Sequence, residues 1–199
     1  GAAVFVPPRN QNFRGYLMGS YYDVSQTTGR PMKEPEPLAE GSDRLNAAFA
    51  ALLDTAPVGF IENTGLNVPV RYNERECILE INTQYSTGQV FAALATEISF
   101  ARLHDRGMNR DYDRGAFQLN AESVGFMVCR RFGVDCPVPD AAGVQQFYSY
   151  YSPDDRGKSL DFMRQTARNM GDTVERGIQP RQQEHTASRG SNNRQYGRR

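Results

Sequence analysis

Apolar residues recur every three or four positions in four stretches of this chain, and each stretch carries its own start or stop signal. After Ser42, an N-cap residue type, Leu45, Ala48, Phe49, Leu52 and Leu53 form a stripe that Pro57 closes. After Ser86, Val90, Phe91, Leu94, Ile98 and Ala101 form a second stripe. Ser86 and Gln89 are spaced for a capping box, and Ala92 to Ala95 (AALA) has high helix propensity. Arg102 and His104 then suit the negative end of the helix dipole, and Gly107 is the expected stop. Leu119, Val124, Phe126, Met127 and Val128 predict a third helix from about Ala116 to Phe132, capped by Gly133. Ser152-Pro153, as N-cap and first helical residue, opens the fourth, with Leu160, Met163, Ala167, Met170, Val174 and Ile178 on its apolar face. A short tyrosine-rich helix (Tyr148, Tyr150, Tyr151) is expected over Asp140–Tyr151.

The period changes from helical to alternating elsewhere. Tyr16–Val24 is aromatic and β-prone, and three short pieces, Val58–Glu62, Val68–Tyr72 and Glu76–Ile81, read as strands. In the last of these Cys77, Leu79 and Ile81 alternate with Ile78 and Glu80, as in a half-buried strand, and Tyr72 to Arg75 makes the turn before it. The pattern predicts an α+β fold, a small mixed or antiparallel sheet packed on the Ser86 and Ala116 helices, with the last helix closing the core.

The ends lack periodicity. Residues 1–15, with Pro7-Pro8, read as an extended arm, and Ser25–Gly41, with Pro31, Pro35 and Pro37, as a loop. Residues 181–199 carry Arg181, Arg189, Arg194, Arg198 and Arg199 against one acid, Glu184, and no aliphatic anchor, the composition of a disordered basic tail. One domain over 16–180 is expected. Gly1-Ala2-Ala3-Val4 reads as a start left after tag removal, which leaves room for a signal or further domain upstream in a larger polypeptide.

Composition narrows the class. With 199 residues and 39% hydrophobic content the chain can bury a core, and a formal net charge of zero argues against a generally basic nucleic-acid binder. No apolar run approaches the roughly 18 residues that span a membrane. Cys77, Cys129 and Cys136 are odd in number and form no CxxC pair. They suit reduced thiols in a cytoplasmic setting better than a Cys129–Cys136 disulfide, and Cys129, Cys136 and His104 match no common zinc-ligand spacing.

The chemistry concentrates on the second helix. In a zinc-peptidase helix, H-E-x-x-H places two histidines one turn apart on the metal and a glutamate between them as general base. Here Glu97 is flanked by Thr96 and followed by Phe100, so both ligand positions hold residues of the wrong chemistry. Three segments nevertheless resemble one family: YYDVSQTTGRP (21–31), YSTGQVFAALATEISFARLHD (85–105) and NAESVGFMVCRRFGVD (120–135). They are similar to the zincin-like metallopeptidase domain of the ArdC/LtrC type, found in antirestriction and conjugative-transfer proteins of bacterial plasmids and integrative elements. The resemblance spans about residues 16–178. It implies that Glu97 stands at the general base, Glu122 at the third zinc ligand, and Thr96 and Phe100 where the two histidines belong, with Ser123 and His104 as cleft neighbours.

With only Glu122 kept as a ligand, the resemblance implies a vestigial site, no zinc or other cofactor, and no peptidase activity by the family mechanism. Glu97 and Glu122 together in a cleft would need a donor, expected from Thr96, His104, Arg102, Arg130 or water. The expected function is binding of a protein or peptide partner in the old cleft or on a strand edge. Two alternatives stand beside it: a metal-dependent hydrolase using Glu97 and Glu122 with a relocated ligand such as His104, and a DNA-associated module acting through the basic tail. No membrane partner is expected.

Overall fold

The computed structural model describes residues 2–6, 17–21, 28 and 36–179. The expected basic tail, most of the arm after Val6 and much of the proline-bearing loop lie outside the described residues. The chain divides into one unit within Gly1–Glu34 and a larger one within Pro35–Arg199. In the first, β1 (Ala2–Val6) pairs antiparallel with β2 (Leu17–Tyr21), in a register running from Ala2 opposite Tyr21 to Val6 opposite Leu17. β2 is the expected aromatic strand. β1 is the short β-prone run AAVFV that precedes Pro7-Pro8.

The larger unit is α+β, as its sequence pattern predicts. Its three-stranded mixed sheet has the order β3 (Phe60–Glu62), β5 (Ile78–Ile81), β4 (Val70–Asn73). β3 runs parallel to β5, and β4 antiparallel to it. Among the described residues five α-helices accompany the sheet: α1 (Asp43–Leu53), α2 (Thr87–His104), α3 (Arg114–Phe132), α4 (Ala141–Tyr148) and α5 (Pro153–Ile178). α2 lies against β4 and β5 on one side and α3 on the other, while α5 packs across α1 and α3.

Local chemistry sets the helix ends. The Ser42, Ser86 and Ser152 hydroxyls each accept from a backbone N–H three residues on, and both halves of the Ser86–Gln89 capping box form. α2 closes differently from the expectation at Gly107. Asp105 is its cap at φ +48°, and Arg106 (+57°) and Gly107 (+83°) continue in the left-handed region. Non-glycine residues there are costly, and tertiary contacts hold them: Arg106 Nε donates to Pro57 O at 3.0 Å and Asn109 Nδ2 to Leu103 O at 2.8 Å.

The core is continuous through Leu45, Leu52, Tyr72, Leu79, Phe91, Leu94, Ile98, Val124, Val128, Met170 and Val174. α2 is buried on more than one face. Glu97, Ser99 and Phe100 join the expected apolar stripe inside, because sheet and α3 sandwich the helix. Two expected positions are corrected. Leu160, assigned to the buried face of α5, is exposed. Glu80, expected to alternate with the inward residues of β5, is buried because Arg71 Nη2 (2.7 Å) and Asn73 Nδ2 (3.1 Å) on β4 cover it across the pair.

Gly133 ends α3 at φ +63°, and a Cβ there would sit 2.9 Å from Pro37 Cα. Backbone strain and a clash with main chain therefore act together at one position. Gly133→Ala is expected to cost about 2–3 kcal/mol, read as a lower urea midpoint at unchanged slope. A midpoint equal to that of the native chain would contradict this packing.

Candidate functional site

The site is built where α2 passes between β4 and α3. Glu97 projects from the middle of α2 and is 8% exposed. Its Oε2 accepts the Tyr72 backbone N–H at 2.7 Å. In the register of β4, Tyr72 faces Leu79, whose own N–H goes to Gly59 O on the far side. The Tyr72 N–H therefore belongs to the outer edge of β4, where no further strand pairs with it among the described residues, and Glu97 caps that donor.

The other oxygen of Glu97, Oε1, accepts Arg114 Nη2 at 2.6 Å. Arg114 is the first residue of α3, following the Asp113 cap. Its guanidinium carbon lies 3.8 Å from the centroid of the Phe100 ring, a cation–π geometry. Its Nη1 is 3.7 Å from Glu74 Oε1 and has no hydrogen-bond acceptor among the described residues. Burial pushes the Glu97 carboxyl above the ordinary carboxylate range, and the Arg114 and Tyr72 donors offset this only in part. For Arg114, burial pulls downward, but hydrogen bonding to Glu97 and its charge outweigh that and hold the guanidinium above its ordinary value. We place the pair as charged at neutral pH, on the 2.6 Å contact and the alignment of both carboxylate oxygens on donors.

An aromatic wall backs this pair. Tyr72 Oη lies 2.8 Å from His104 Nδ1, and the His104 ring stands 4.5 Å from that of Tyr112 in a tilted arrangement. The Tyr112 hydroxyl donates to Glu74 at 3.1 Å. Tyr72→Phe is expected to cost about 1 kcal/mol in thermal unfolding by stranding His104 Nδ1, while leaving the Glu97 contacts unchanged. A stability equal to the native one would show that this bond carries no net energy.

On the other side of Glu97 a cleft of about 810 Å³ opens between the start of β4, α2, α3 and the segment 135–140. Thr96, Glu97 and Glu122 line it, with Ala92 and Ala93 on α2 and Gly125 and Phe126 on α3. Thr96 Oγ1 and backbone N stand over Gly125 with no room for a Cβ, so α2 and α3 touch at that point. Gly125→Ala is expected to destabilise the chain by about 1–3 kcal/mol, and Thr96→Ala in the same chain to restore most of it. Failure of that rescue in chemical denaturation would remove the Thr96–Gly125 contact as the cause.

The sequence-derived residues thus separate. Thr96, Glu97 and Glu122 share the cleft. Glu122 accepts Gln118 Nε2 at 2.8 Å. Phe100 is buried beneath Arg114 and is not part of the cleft lining. His104 is engaged with Tyr72, and Ser123 is half-buried outside the lining. The donors expected for Glu97 are corrected: Arg102 Nη2 goes to Thr55 O at 2.8 Å, Arg130 is exposed, and the donors are Arg114 and Tyr72. Arg114 went unmarked in the sequence, where it falls in the polar stretch before the expected helix. The structure starts α3 at Arg114, two residues before the expected Ala116, and at that position a cation opposes the helix dipole.

No protein-family model and no curated protein matches this sequence. Solved structures match its fold. The fold resembles that of the antirestriction protein ArdC. The metal-free crystal structure of ArdC from plasmid R388 superposes with a TM-score of 0.50 at 17% identity, covering 89% of this chain and 68% of that one. Its Mn(II)-bound structure gives 0.49 at 20% identity over 91% and 72%. At such identity the likeness is one of fold, an ArdC-like α+β arrangement. Among the described residues no group of three or more His, Cys, Asp or Glu side chains is placed to hold a metal ion. The donor set around Glu97 does not fit a divalent cation, since its neighbours are a threonine, a phenyl ring and a guanidinium. No helix among the described residues is long and apolar enough to cross a membrane.

Proposed function

We propose that this domain is a non-catalytic, zincin-like relative of the ArdC fold, from a plasmid- or mobile-element-associated bacterial protein, that binds a peptide segment in a metal-independent cleft. The observation that carries the reading is Arg114. A guanidinium lies on the carboxylate of Glu97 and over the ring of Phe100, so a fixed cation of the chain stands beside the residue expected to be the general base. A carboxylate held by two donors is a poor acceptor for a proton from water, and Thr96 and Phe100 offer no imidazole to a metal. The cleft beside this pair remains open, is of the size of ligand sites, and carries an apolar floor, with Val68, Pro69 and Val70 at the start of β4 along one side.

Metal analysis of the full chain purified without chelator and incubated with zinc or manganese tests the non-catalytic part. The expected result is substoichiometric metal that does not rise with incubation. One equivalent per chain, lost on Glu122→Ala, would overturn it in favour of a metal-dependent hydrolase.

A further inference from the structure

The cleft is chemically one-sided. Its floor is small and apolar, lined by Ala92 and Ala93 on α2 and Gly125 on α3, and exposed valines, Val68 and Val138, stand at its margin. The charged residues lining it are all acids, and no Lys or Arg is among them. Glu97 is matched by Arg114, so its charge is spent within the fold. Glu122 is not matched. Its partner, the Gln118 amide, is neutral, so a full negative charge faces the cleft from α3. Asp135, exposed on the segment after α3, adds a second.

We infer that the occupant is a cationic peptide segment of another protein, laying an apolar side chain on the Ala92–Ala93–Gly125 floor and Arg or Lys residues against Glu122 and Asp135. The inference rests on the reading of the cleft as a peptide site and names its ligand class. Charge complementarity selects the class. Phosphate-bearing ligands meet repulsion from the same wall, and an acidic peptide would bring like charges together in a partly desolvated trough. The exposed valines give an extended segment further apolar surface to cover.

Fluorescence anisotropy of the full chain with three labelled nine-residue peptides, alternating Leu with Arg, Gln or Glu, tests this. The Leu/Arg peptide is expected to bind at least about ten-fold tighter than the Leu/Glu peptide, more weakly at higher salt. Glu122→Gln with Asp135→Asn is expected to shrink that ratio to about three-fold or less, while Asp161→Asn, at an exposed position of α5, leaves it intact. Equal affinity for the three peptides, or a preference that survives the double substitution, would overturn the cationic assignment and leave the peptide site standing. Absence of binding by all three, both to the native chain and to a full chain with Arg181, Arg189, Arg194, Arg198 and Arg199 changed to Gln, would overturn both readings. Leu/Arg binding that emerges only in that arginine-free chain would overturn the assignment to another protein and give the cleft to this chain's own C-terminal residues.

Discussion

Arg114→Ala is expected to destabilise the domain by about 2–4 kcal/mol at neutral pH, with a smaller deficit at pH 4. Removing one partner of a buried pair leaves the other charge uncompensated. Glu97 is the deeply buried partner, and Arg114, with about a third of its side chain exposed, is the lesser loss in burial. The sign with pH follows from the carboxyl. Burial already holds Glu97 above its ordinary range, and Arg114 is the largest influence acting against that. Without Arg114 the folded-state value rises further, with Glu74, the second carboxylate near the guanidinium, adding in the same direction. A group whose folded value exceeds its unfolded one, about 4.3 for Glu, loses stability as pH rises from the unfolded to the folded value. The deficit of the variant therefore grows with pH and levels off above the raised value. Below both values Glu97 is protonated in either state, and only the lost packing on Phe100 remains. Glu97→Gln in the Arg114→Ala chain is expected to recover part of the loss at pH 7, because an amide oxygen still accepts the Tyr72 N–H without needing a counter-charge. Urea titrations at pH 4, 6 and 8 check this. A deficit independent of pH would show that Glu97 is not charged against Arg114 in the folded chain.

The parts of this fold set by local chemistry were legible, and those set by distant contacts were not. Ser42, Ser86, Ser152 and Gly133 announce helix ends because a cap needs only its own three or four neighbours. The period of apolar residues placed α2 and α3, and the resemblance to the ArdC/LtrC-type domain implied Glu97 and Glu122 as the acids to watch. What joined them was invisible. Tyr72 meets Glu97 across 25 positions of sequence through a backbone N–H, which no side-chain pattern encodes. Glu80 reads as a solvent-facing residue until Arg71 and Asn73 are set opposite it. Leu160 keeps the helical period of α5 but lies on a part of that helix nothing covers among the described residues, since periodicity records a face and not whether another element reaches it. Asp105 took the left-handed cap ahead of Gly107, where Arg106 bonds to Pro57 O and Asn109 reaches back to Leu103 O, contacts that no cap pattern in the sequence records.

Thr96→His with Phe100→His should not by itself yield a tight metal site, although it writes the sequence H-E-x-x-H into α2. The two imidazoles would lie one turn apart on α2, and Glu122 lines the same cleft as position 96 to offer a third ligand. Arg114 is the obstacle, because its guanidinium is already seated on Glu97 and over position 100. A divalent ion and a unit positive charge about 4 Å apart repel by roughly 8 kcal/mol at an effective dielectric of about 20, on the order of six decades in affinity. Adding Arg114→Ala removes that charge and frees the Glu97 oxygen. The Thr96→His/Phe100→His/Arg114→Ala chain is expected to bind one zinc at submicromolar concentration, and the double variant to bind at least about a hundred-fold more weakly in competition with a zinc-chelating dye. Equal zinc affinity of the two would show that Arg114 does not stand in the place of a cation. A folded triple variant without zinc would show that Glu122 and positions 96 and 100 do not converge on one ion, which would leave the acid of α3 to the cleft alone.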